Sequence, residues 1–274
     1  MASARLDAEL LAARAFSRTR VELYTHFDQP LGDPELAAYR GLVQRRMAGE
    51  SVAYILGRKE FWSLDLEVDA RVLVPRPDTE TLVEQALEWL KAMPASERAL
   101  RVADIGTGSG ALALALKKER PGDEVFAVDI STDALDVARG NASRLGLEVT
   151  FLQGDLVSPL SGLDRFNMIA SNPPYIPSQD IAGLSPEVRR EPILALDGGE
   201  DGLSLVRRLA SDARNVLSPG GALAMEIGAG QAAEVMEILR GTGYAGVGAR
   251  RDLAGIERVV FGHLGGEKTE GSRQ

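Results

Sequence analysis

Hydrophobic and polar positions follow helical spacing in the first part of the chain. Between residues 6 and 47, apolar side chains, mostly Leu, recur every three or four positions. A break at residues 29–34 separates helices, and we expect Asp33 to be the N-cap of the following helix and Pro34 its first residue. The pattern predicts a small helical domain at the start of the chain.

Alternation of apolar and polar residues replaces this spacing over residues 60–74, which is typical of strands with one buried face. We expect a turn around Asp69 and Ala70, so that the stretch folds back on itself. The alternation therefore predicts a β-hairpin between the helical domain and the rest of the chain.

From Leu100 onward, the pattern becomes strand, glycine turn, helix and strand, repeated. The predicted strands cover residues 101–105, 124–128, 147–151, 166–171, 221–227, 244–250 and 257–262. The predicted helices cover residues 111–119, 132–145, 202–217 and 230–240. This alternation predicts an α/β, Rossmann-like sheet of seven mostly parallel strands with helices on both faces. The connection between the last two strands is too short for a crossover helix, so we expect them to pair antiparallel.

These patterns divide the chain into four predicted parts. They are a helical domain over residues 1–58, a hairpin linker over 59–76, an α/β domain over 77–264 and a tail over 265–274. The tail is polar and glycine-bearing, so we expect it to be disordered. A chain of 274 residues has room for two domains, because single cores rarely grow beyond about 250 residues.

Composition narrows the chemistry that this fold can carry. The chain has no cysteine, which excludes disulfides, thiolate zinc sites and cysteine nucleophiles. Its only histidines are His26 and His263, which disfavours a histidine-based triad or a multi-histidine metal site, and we expect no metal. The net charge is −9 without a long basic block, which disfavours a nucleic-acid substrate. The chain lacks a long apolar run and a signal-like start, so we expect a cytoplasmic protein without a membrane partner.

A glycine-rich loop follows the first strand of the α/β domain. We expect it to bind a cofactor through Asp104, Gly106, Thr107, Gly108, Ser109 and Gly110. Glycines let the chain turn tightly and let a ligand approach the backbone. With Ala111 in the last position, the loop also fits the pattern of NAD enzymes. Asp104 favours S-adenosyl-L-methionine, because a carboxylate can attract the cationic amino end of that donor or orient the loop, whereas a pyrophosphate gains nothing from it.

Two further acidic residues follow the next strands. Asp129 ends the second strand, where a carboxylate can accept hydrogen bonds from both ribose hydroxyls of either cofactor class. Asp155 and Leu156 follow the third strand, where side chains commonly enclose an adenine ring. We expect Leu156 to pack on the ring and Asp155 to contact its exocyclic amine.

The sequence Asn-Pro-Pro-Tyr at residues 172–175 follows the fourth strand. An amide or exocyclic amino nitrogen is a poor nucleophile because its lone pair is delocalised. A pair of carbonyl oxygens can hold both N–H bonds and aim the lone pair at a methyl donor. We assign those oxygens to the side chain of Asn172 and the backbone of Pro173, and we expect Tyr175 to stack on the planar group. The motif alone does not distinguish a base amine from a glutamine amide.

Several motifs together resemble one family, the peptide chain release factor glutamine methyltransferases of the HemK/PrmC type. The resemblance rests on residues 104–110 and 172–175 and on three more strings, Tyr-Ile-Leu-Gly at 54–57, Glu-Phe at 60–61 and Val-Leu-Val-Pro-Arg-Pro-Asp-Thr-Glu at 72–80. The order and spacing of these motifs match the family along the chain. One departure is Leu156, which is aromatic in some relatives, and this weakens ring stacking on adenine.

The resemblance implies a class I methyltransferase sheet and an enzyme of translation termination. Such an enzyme transfers a methyl group from S-adenosyl-L-methionine to the side-chain nitrogen, N5, of the glutamine in the Gly-Gly-Gln motif of release factors 1 and 2. It implies that the helical domain helps to grip the release factor and that Asn172 also lines the donor site. We expect a monomer. The alternatives are a methyltransferase of another protein glutamine, as in a ribosomal protein, one of a nucleic-acid exocyclic amine, or a non-enzymatic adenosine-binding module.

The expected substrate-binding residues are Asn172, Pro173, Pro174, Tyr175, Arg76 and Glu80. For Arg76 and Glu80, two interpretations remain open, since residues 76–80 also look like a capped helix start. Either they only cap a helix, or they close the substrate side of the pocket by fixing nearby backbone. Glu191 and Pro192, in the long insertion after the fourth strand, either belong to the same rim or form an ordinary surface loop.

Overall fold

The computed structural model describes residues 4–93 and 99–266. From residue 4 to the first strand, the described chain forms the helices α1 (Ala4–Ala15), α2 (Arg20–Thr25), α3 (Asp33–Met47) and α4 (Val52–Leu56). In the first three, Leu11 is the one buried residue among those described. This helical region therefore has little core of its own.

The start of α3 differs from the predicted cap. Gly32 is the N-cap, Asp33 is the first helical residue, and Pro34 occupies the second position. The carboxylate of Glu35 accepts a hydrogen bond of 2.8 Å from the backbone N–H of Gly32. This hydrogen bond resembles one half of a capping box. The helix therefore starts one residue earlier than the Asp-Pro pair predicts.

A hairpin of β1 (Arg58–Phe61) and β2 (Leu64–Glu67) follows, and the predicted position of its turn is wrong. The turn lies at Trp62 and Ser63, whose φ angles of 51° and 53° are left-handed, as in the tight turns that match strand twist. Neither residue is the Gly or Asn that signals such a turn, so the sequence pattern hid it. Asp69 makes only a local turn with Arg71 and Val72, after the paired strands have ended.

The predicted seven-stranded sheet is confirmed. Its strands are β3 (Arg101–Ile105), β4 (Glu124–Asp129), β5 (Thr150–Gln153), β6 (Phe166–Ser171), β7 (Leu217–Glu226), β8 (Ala245–Arg251) and β9 (Glu257–His263). Their order is β5-β4-β3-β6-β7-β9-β8, and β9 pairs antiparallel with both β7 and β8. The predicted antiparallel last pair is therefore confirmed.

The helices of this domain are α5 (Glu80–Ala92), α6 (Ala111–Glu119), α7 (Thr132–Leu145), α8 (Ser204–Ala213) and α9 (Ala232–Gly241). The predicted bounds of α6 and α7 are confirmed. The third strand begins later than predicted, because Leu147 and Val149 pack against the core before the chain pairs at Thr150. The fifth begins earlier, at Leu217, where its register with β6 shifts.

Both faces of the sheet are covered. Helices α8 and α9 pack on one face, while α5, α6 and the hairpin pack on the other, where Phe61, Leu64 and Leu66 join the core. The strand order reverses between β3 and β6, the point where ligands bind outside the carboxyl ends of such sheets. Across the described stretches, none of the helices has the length and apolar character to cross a membrane. The predicted tail lies outside the described residues from position 267 onward.

Candidate functional site

A cavity of about 310 Å³ opens at the carboxyl ends of β3, β4, β5 and β6. Its size lies at the lower end of the range for small-molecule sites, about 300–1,000 Å³. A second cavity of about 450 Å³ lies at the opposite ends of β4 and β5, beside Glu124 and Thr150. We assign the site to the first cavity because ligands of parallel sheets bind at the carboxyl ends of the strands.

The structure brings most of the predicted site residues to this cavity. Those that line it are Gly106, Gly108, Asp129, Asp155, Leu156, Asn172, Pro173 and Pro174. The others stand outside the lining and are Asp104, Thr107, Ser109, Gly110, Tyr175, Arg76 and Glu80.

The glycine loop runs between β3 and α6 with three left-handed residues, Gly106, Gly108 and Gly110, at φ values of 74°, 55° and 84°. A side chain at Gly110 would also press on Leu114 and Ala138 at 3.1 and 3.2 Å. Glycine is therefore required both by backbone conformation and by close packing.

Asp104 is fully buried beneath this loop. Its carboxylate accepts hydrogen bonds from the Thr107 hydroxyl at 2.6 Å and from the backbone N–H of Ala113 at 3.1 Å. Burial raises the pKa of Asp104 to about 7, against the lowering effect of these two hydrogen bonds. Of the two predicted roles for Asp104, these contacts favour orientation of the loop.

The raised pKa of Asp104 has a measurable consequence for stability. Because the folded pKa lies above the unfolded value, the contribution of Asp104 to the free energy of unfolding is fully present below about pH 4. It is lost as the pH rises through about 7. We expect Asp104→Asn, whose amide oxygen can accept the same hydrogen bonds, to lose less free energy of unfolding than the wild type between about pH 5 and pH 8. Urea titrations of both proteins at the two pH values measure this difference, and equal losses would contradict it.

Asp129 ends β4 and faces the cavity. One carboxylate oxygen accepts from the backbone N–H of Gly108 at 2.8 Å, and the other accepts from that of Ser131 at 2.9 Å. Burial raises the pKa of Asp129, and its backbone hydrogen bonds oppose this shift. Each oxygen retains a second lone pair, so the same carboxylate can also accept from two ligand hydroxyls.

Beyond β5, Asp155 and Leu156 both reach the cavity wall, but Asp155 is already paired. The Arg208 guanidinium donates to its carboxylate at 2.5 Å. Leu156 holds a left-handed φ of 49°, which costs a branched residue on the order of 1 kcal/mol or more. This strained residue lies in the wall of the cavity.

The 172–175 segment is anchored from several sides. The Asn172 side-chain nitrogen donates to the Thr79 hydroxyl at 3.2 Å. Gln231 donates to the backbone oxygen of Tyr175 at 3.0 Å, and the Tyr175 hydroxyl donates to the Glu226 carboxylate at 3.4 Å. Because the amide nitrogen of Asn172 is held by Thr79, the oxygen on the other branch of that amide points away from Thr79.

Arg76 and Glu80 each hold another segment of the chain in place. Arg76 pairs with Glu191 at 2.7 Å, and Glu191 is 5% exposed. Glu80 accepts from the backbone N–H of Trp62 in the hairpin turn at 3.1 Å. Since Pro192 lines the cavity directly after Glu191, these contacts favour the rim interpretation for Arg76 and Glu191.

The rim also joins the helical region to the larger domain. Arg46 of α3 pairs with Asp7 at 2.8 Å and with Glu187 of the insertion at 2.6 Å. Arg190 donates to the backbone oxygen of Ala48 at 2.6 Å. The insertion therefore contacts the helical region on one side and the cavity on the other.

Sequence reasoning missed four residues at this site, which are Thr79 as a partner of Asn172, Asn141, Arg208 and Glu226. Asn141, on α7, is fully buried and bonds the backbone of Glu67 and of Ser109, which ties the hairpin to the glycine loop. For Glu226 a signal existed, because a carboxylate follows the apolar run Ala-Leu-Ala-Met. Over residues 4–93 and 99–266, the side chains form no group of three or more ligands that could hold a metal ion.

Known proteins match both parts of the chain. Residues 1–57 match the family described as PrmC N-terminal domain, and residues 84–184 match the family described as Methyltransferase small domain. The release factor glutamine methyltransferase of Geobacter sulfurreducens is 47% identical over 264 residues, covering 96% of this chain and 90% of that protein. That of Bordetella pertussis is 45% identical over 260 residues, covering 95% of each.

The solved structures agree on the fold. A crystal structure of a methyltransferase from Pyrococcus furiosus matches with a TM-score of 0.54 and 21% identity, covering 82% of this chain and 96% of that one. At this identity the likeness concerns the fold alone.

Proposed function

The chain belongs to the release factor glutamine methyltransferase family, and on that premise we propose that it methylates the side-chain amide nitrogen, N5, of the glutamine in the Gly-Gly-Gln motif of release factors 1 and 2. The methyl donor is S-adenosyl-L-methionine. We further infer that the enzyme acts as a monomer in the cytoplasm. The single observation that carries the proposal is the meeting of the glycine loop and the Asn172 segment at one cavity.

The residues around the cavity fit this donor. Gly106 and Gly108 present bare backbone, Asp129 offers a carboxylate for two ribose hydroxyls, and Leu156 offers an apolar wall for an adenine ring. Asp155 would contact the exocyclic amine only by sharing its carboxylate with Arg208. When bound, the donor supplies a methyl group on a sulfonium, which is already activated for transfer.

The chain's own residues prepare the acceptor amide. The side-chain oxygen of Asn172 and the backbone oxygen of Pro173 each accept one N–H bond of the glutamine, which aims the nitrogen lone pair at the methyl group. These oxygens also stabilise the positive charge that develops on the nitrogen. The ring of Tyr175 packs against the planar amide and excludes water. Proton loss after transfer needs no strong base, because a protonated, methylated amide is itself a strong acid.

Mass spectrometry tests the proposal directly. Unmethylated release factor is incubated with the protein and S-adenosyl-L-methionine, and any added methyl is mapped by peptide fragmentation. We expect one methyl on the glutamine of Gly-Gly-Gln, and none with Asn172→Ala. Binding of the donor without methylation at that glutamine would overturn the substrate assignment and turn attention to ribosomal proteins and then to nucleic acid.

Asp129→Ala tests the donor assignment separately. We expect the Kd for S-adenosyl-L-methionine to rise by about 10–100-fold, because ribose contacts are lost and the backbone of Gly108 loses its acceptor. Asp129→Asn separates the two effects, since it keeps one oxygen for the backbone but removes the charge. Isothermal titration calorimetry measures both variants, and an unchanged Kd in Asp129→Ala would refute the ribose role.

A further inference from the structure

Glu226 is a buried carboxylate beside the acceptor side of the cavity. It ends β7, the strand next to β6, and Met225 lies opposite Ser171 in the parallel register. The carboxyl ends of neighbouring parallel strands meet at one edge of the sheet, so Glu226 lies behind the segment that begins at Asn172. Its exposed fraction is 1%.

The carboxylate of Glu226 is linked to both polar side chains of the 172–175 segment. It accepts from the Tyr175 hydroxyl at 3.4 Å. The Thr79 hydroxyl lies close enough to lower the pKa of Glu226, and Thr79 accepts from the side-chain nitrogen of Asn172 at 3.2 Å. A threonine hydroxyl has a single hydrogen. When that hydrogen points to Glu226, the oxygen of Thr79 can only accept from Asn172, and the direction of the Asn172 amide is set.

The fold alone gives no reason for a carboxylate at this position. Within the described part of the chain, the second oxygen of Glu226 is buried without a hydrogen-bond partner. A buried, incompletely paired carboxylate is destabilising, and an apolar residue at the end of β7 would avoid that cost. The nearby guanidinium of Arg258 is paired with Asp78 at 3.2 Å and with Asp252 at 3.1 Å.

We propose that Glu226 is a positioning residue for methyl transfer, which holds Asn172 through Thr79, and Tyr175 directly, in the orientation that receives the acceptor amide. This proposal rests on the proposed function. Glu226 touches neither substrate in this scheme. Its carboxylate must be ionised to accept both hydroxyl hydrogens and leave the Thr79 oxygen free for Asn172.

The ionisation state of Glu226 is therefore coupled to activity. Burial raises its pKa to about 7, helped by the Asp78 carboxylate and opposed by the Thr79 and Tyr175 hydroxyls and by Arg258. Below about pH 7, the protonated carboxyl has a hydrogen of its own to donate, and it competes with Asn172 for the Thr79 oxygen. We expect kcat, measured at saturating donor, to fall as the pH falls through that value.

Steady-state kinetics with an unmethylated release factor tests the proposal. We expect Glu226→Gln to lower kcat by about 10–100-fold, leave the donor Kd within about twofold and abolish the pH inflection. Thr79→Val should have a similar effect and Thr79→Ser should restore activity, because only the hydroxyl matters. The double variant Glu226→Gln/Thr79→Val should be no slower than the worse single variant. A kcat within about twofold of wild type in Glu226→Gln, or multiplied losses in the double variant, would overturn the proposal.

A second measurement needs neither a release factor nor a substitution at Glu226. The side-chain NH₂ resonances of Asn172 are assigned by their absence from the spectrum of Asn172→Ala. In the wild type, they should shift with a midpoint near pH 7, and in Thr79→Val that shift should disappear. Resonances that do not respond to pH would overturn the positioning role. If the resonances titrate but the wild type does not methylate the release factor, the proposed substrate fails while the link from Glu226 to Asn172 stands.

Discussion

Replacing Asn172 with Ala should lower kcat for methyl transfer by about 10³-fold or more, with donor affinity changed by less than about threefold. The substitution removes one of the two oxygens that hold the acceptor N–H bonds, so the lone pair is no longer aimed and the developing charge is no longer stabilised. The Asn172 side chain also lines the donor cavity, which accounts for a modest effect on binding. Single-turnover kinetics with saturating donor, combined with calorimetric titration of the donor, separates the two effects.

Asn172→Asp is the matched control for this prediction. It has almost the same shape and retains an oxygen, but it loses the nitrogen that donates to Thr79. We expect its kcat to lie between those of the wild type and Asn172→Ala, because one oxygen can still accept while its orientation is no longer fixed. A rate within about tenfold of wild type in Asn172→Ala would show that Pro173 alone positions the amide.

Arg76→Ala should lower the free energy of unfolding by about 2–3 kcal/mol, because it leaves Glu191 buried without its partner. The loss should be smaller at about pH 5 than at about pH 8. Burial already raises the pKa of Glu191 even with Arg76 in place, so without Arg76 this pKa rises further above the unfolded value and the stability contribution is lost as the pH rises. Urea titrations at the two pH values measure both effects.

The double variant Arg76→Ala/Glu191→Gln provides the control. It removes both charges, so we expect part of the lost stability to return and the pH dependence to weaken. Because Pro192, Leu194 and Ala195 line the cavity, the KM for donor should rise in Arg76→Ala and recover in part in the double variant. An Arg76→Ala protein as stable as wild type at about pH 8 would mean that Glu191 is solvated or protonated without its partner.

The insertion after β6 contacts both the helical region and the cavity, which are formed by segments far apart in sequence. Arg46 and Ala48 of the helical region contact it at Glu187 and Arg190, while Pro192, Leu194 and Ala195 line the cavity. A release factor that contacts the helical region would thus contact a surface joined to the rim by an ion pair and a hydrogen bond. This arrangement agrees with the proposed role of that region in gripping the protein substrate.

The sequence alone determined those parts of the protein that depend on local pattern. Strands 101–105 and 166–171 and helices 111–119 and 132–145 were predicted with their observed bounds, because buried parallel strands read as apolar runs and amphipathic helices repeat every 3.6 residues. The sequence also predicts that the glycine loop, Asp129 and Asn172 lie together, because each follows the carboxyl end of a strand, and all three line one cavity.

Only the tertiary structure decided the features that join distant segments. The hairpin turn at Trp62 and Ser63 contains neither Gly nor Asn. Its left-handed conformation occurs where β1 pairs with β2 and where the Glu80 carboxylate accepts from the backbone N–H of Trp62. Likewise, no spacing reveals that Thr79 and Glu226, 147 positions apart, lie together behind Asn172. Periodicity indicates which face of an element is buried, but the partner of a buried polar group depends on how the elements pack, and that packing sets the site's hydrogen bonds and its pKa values.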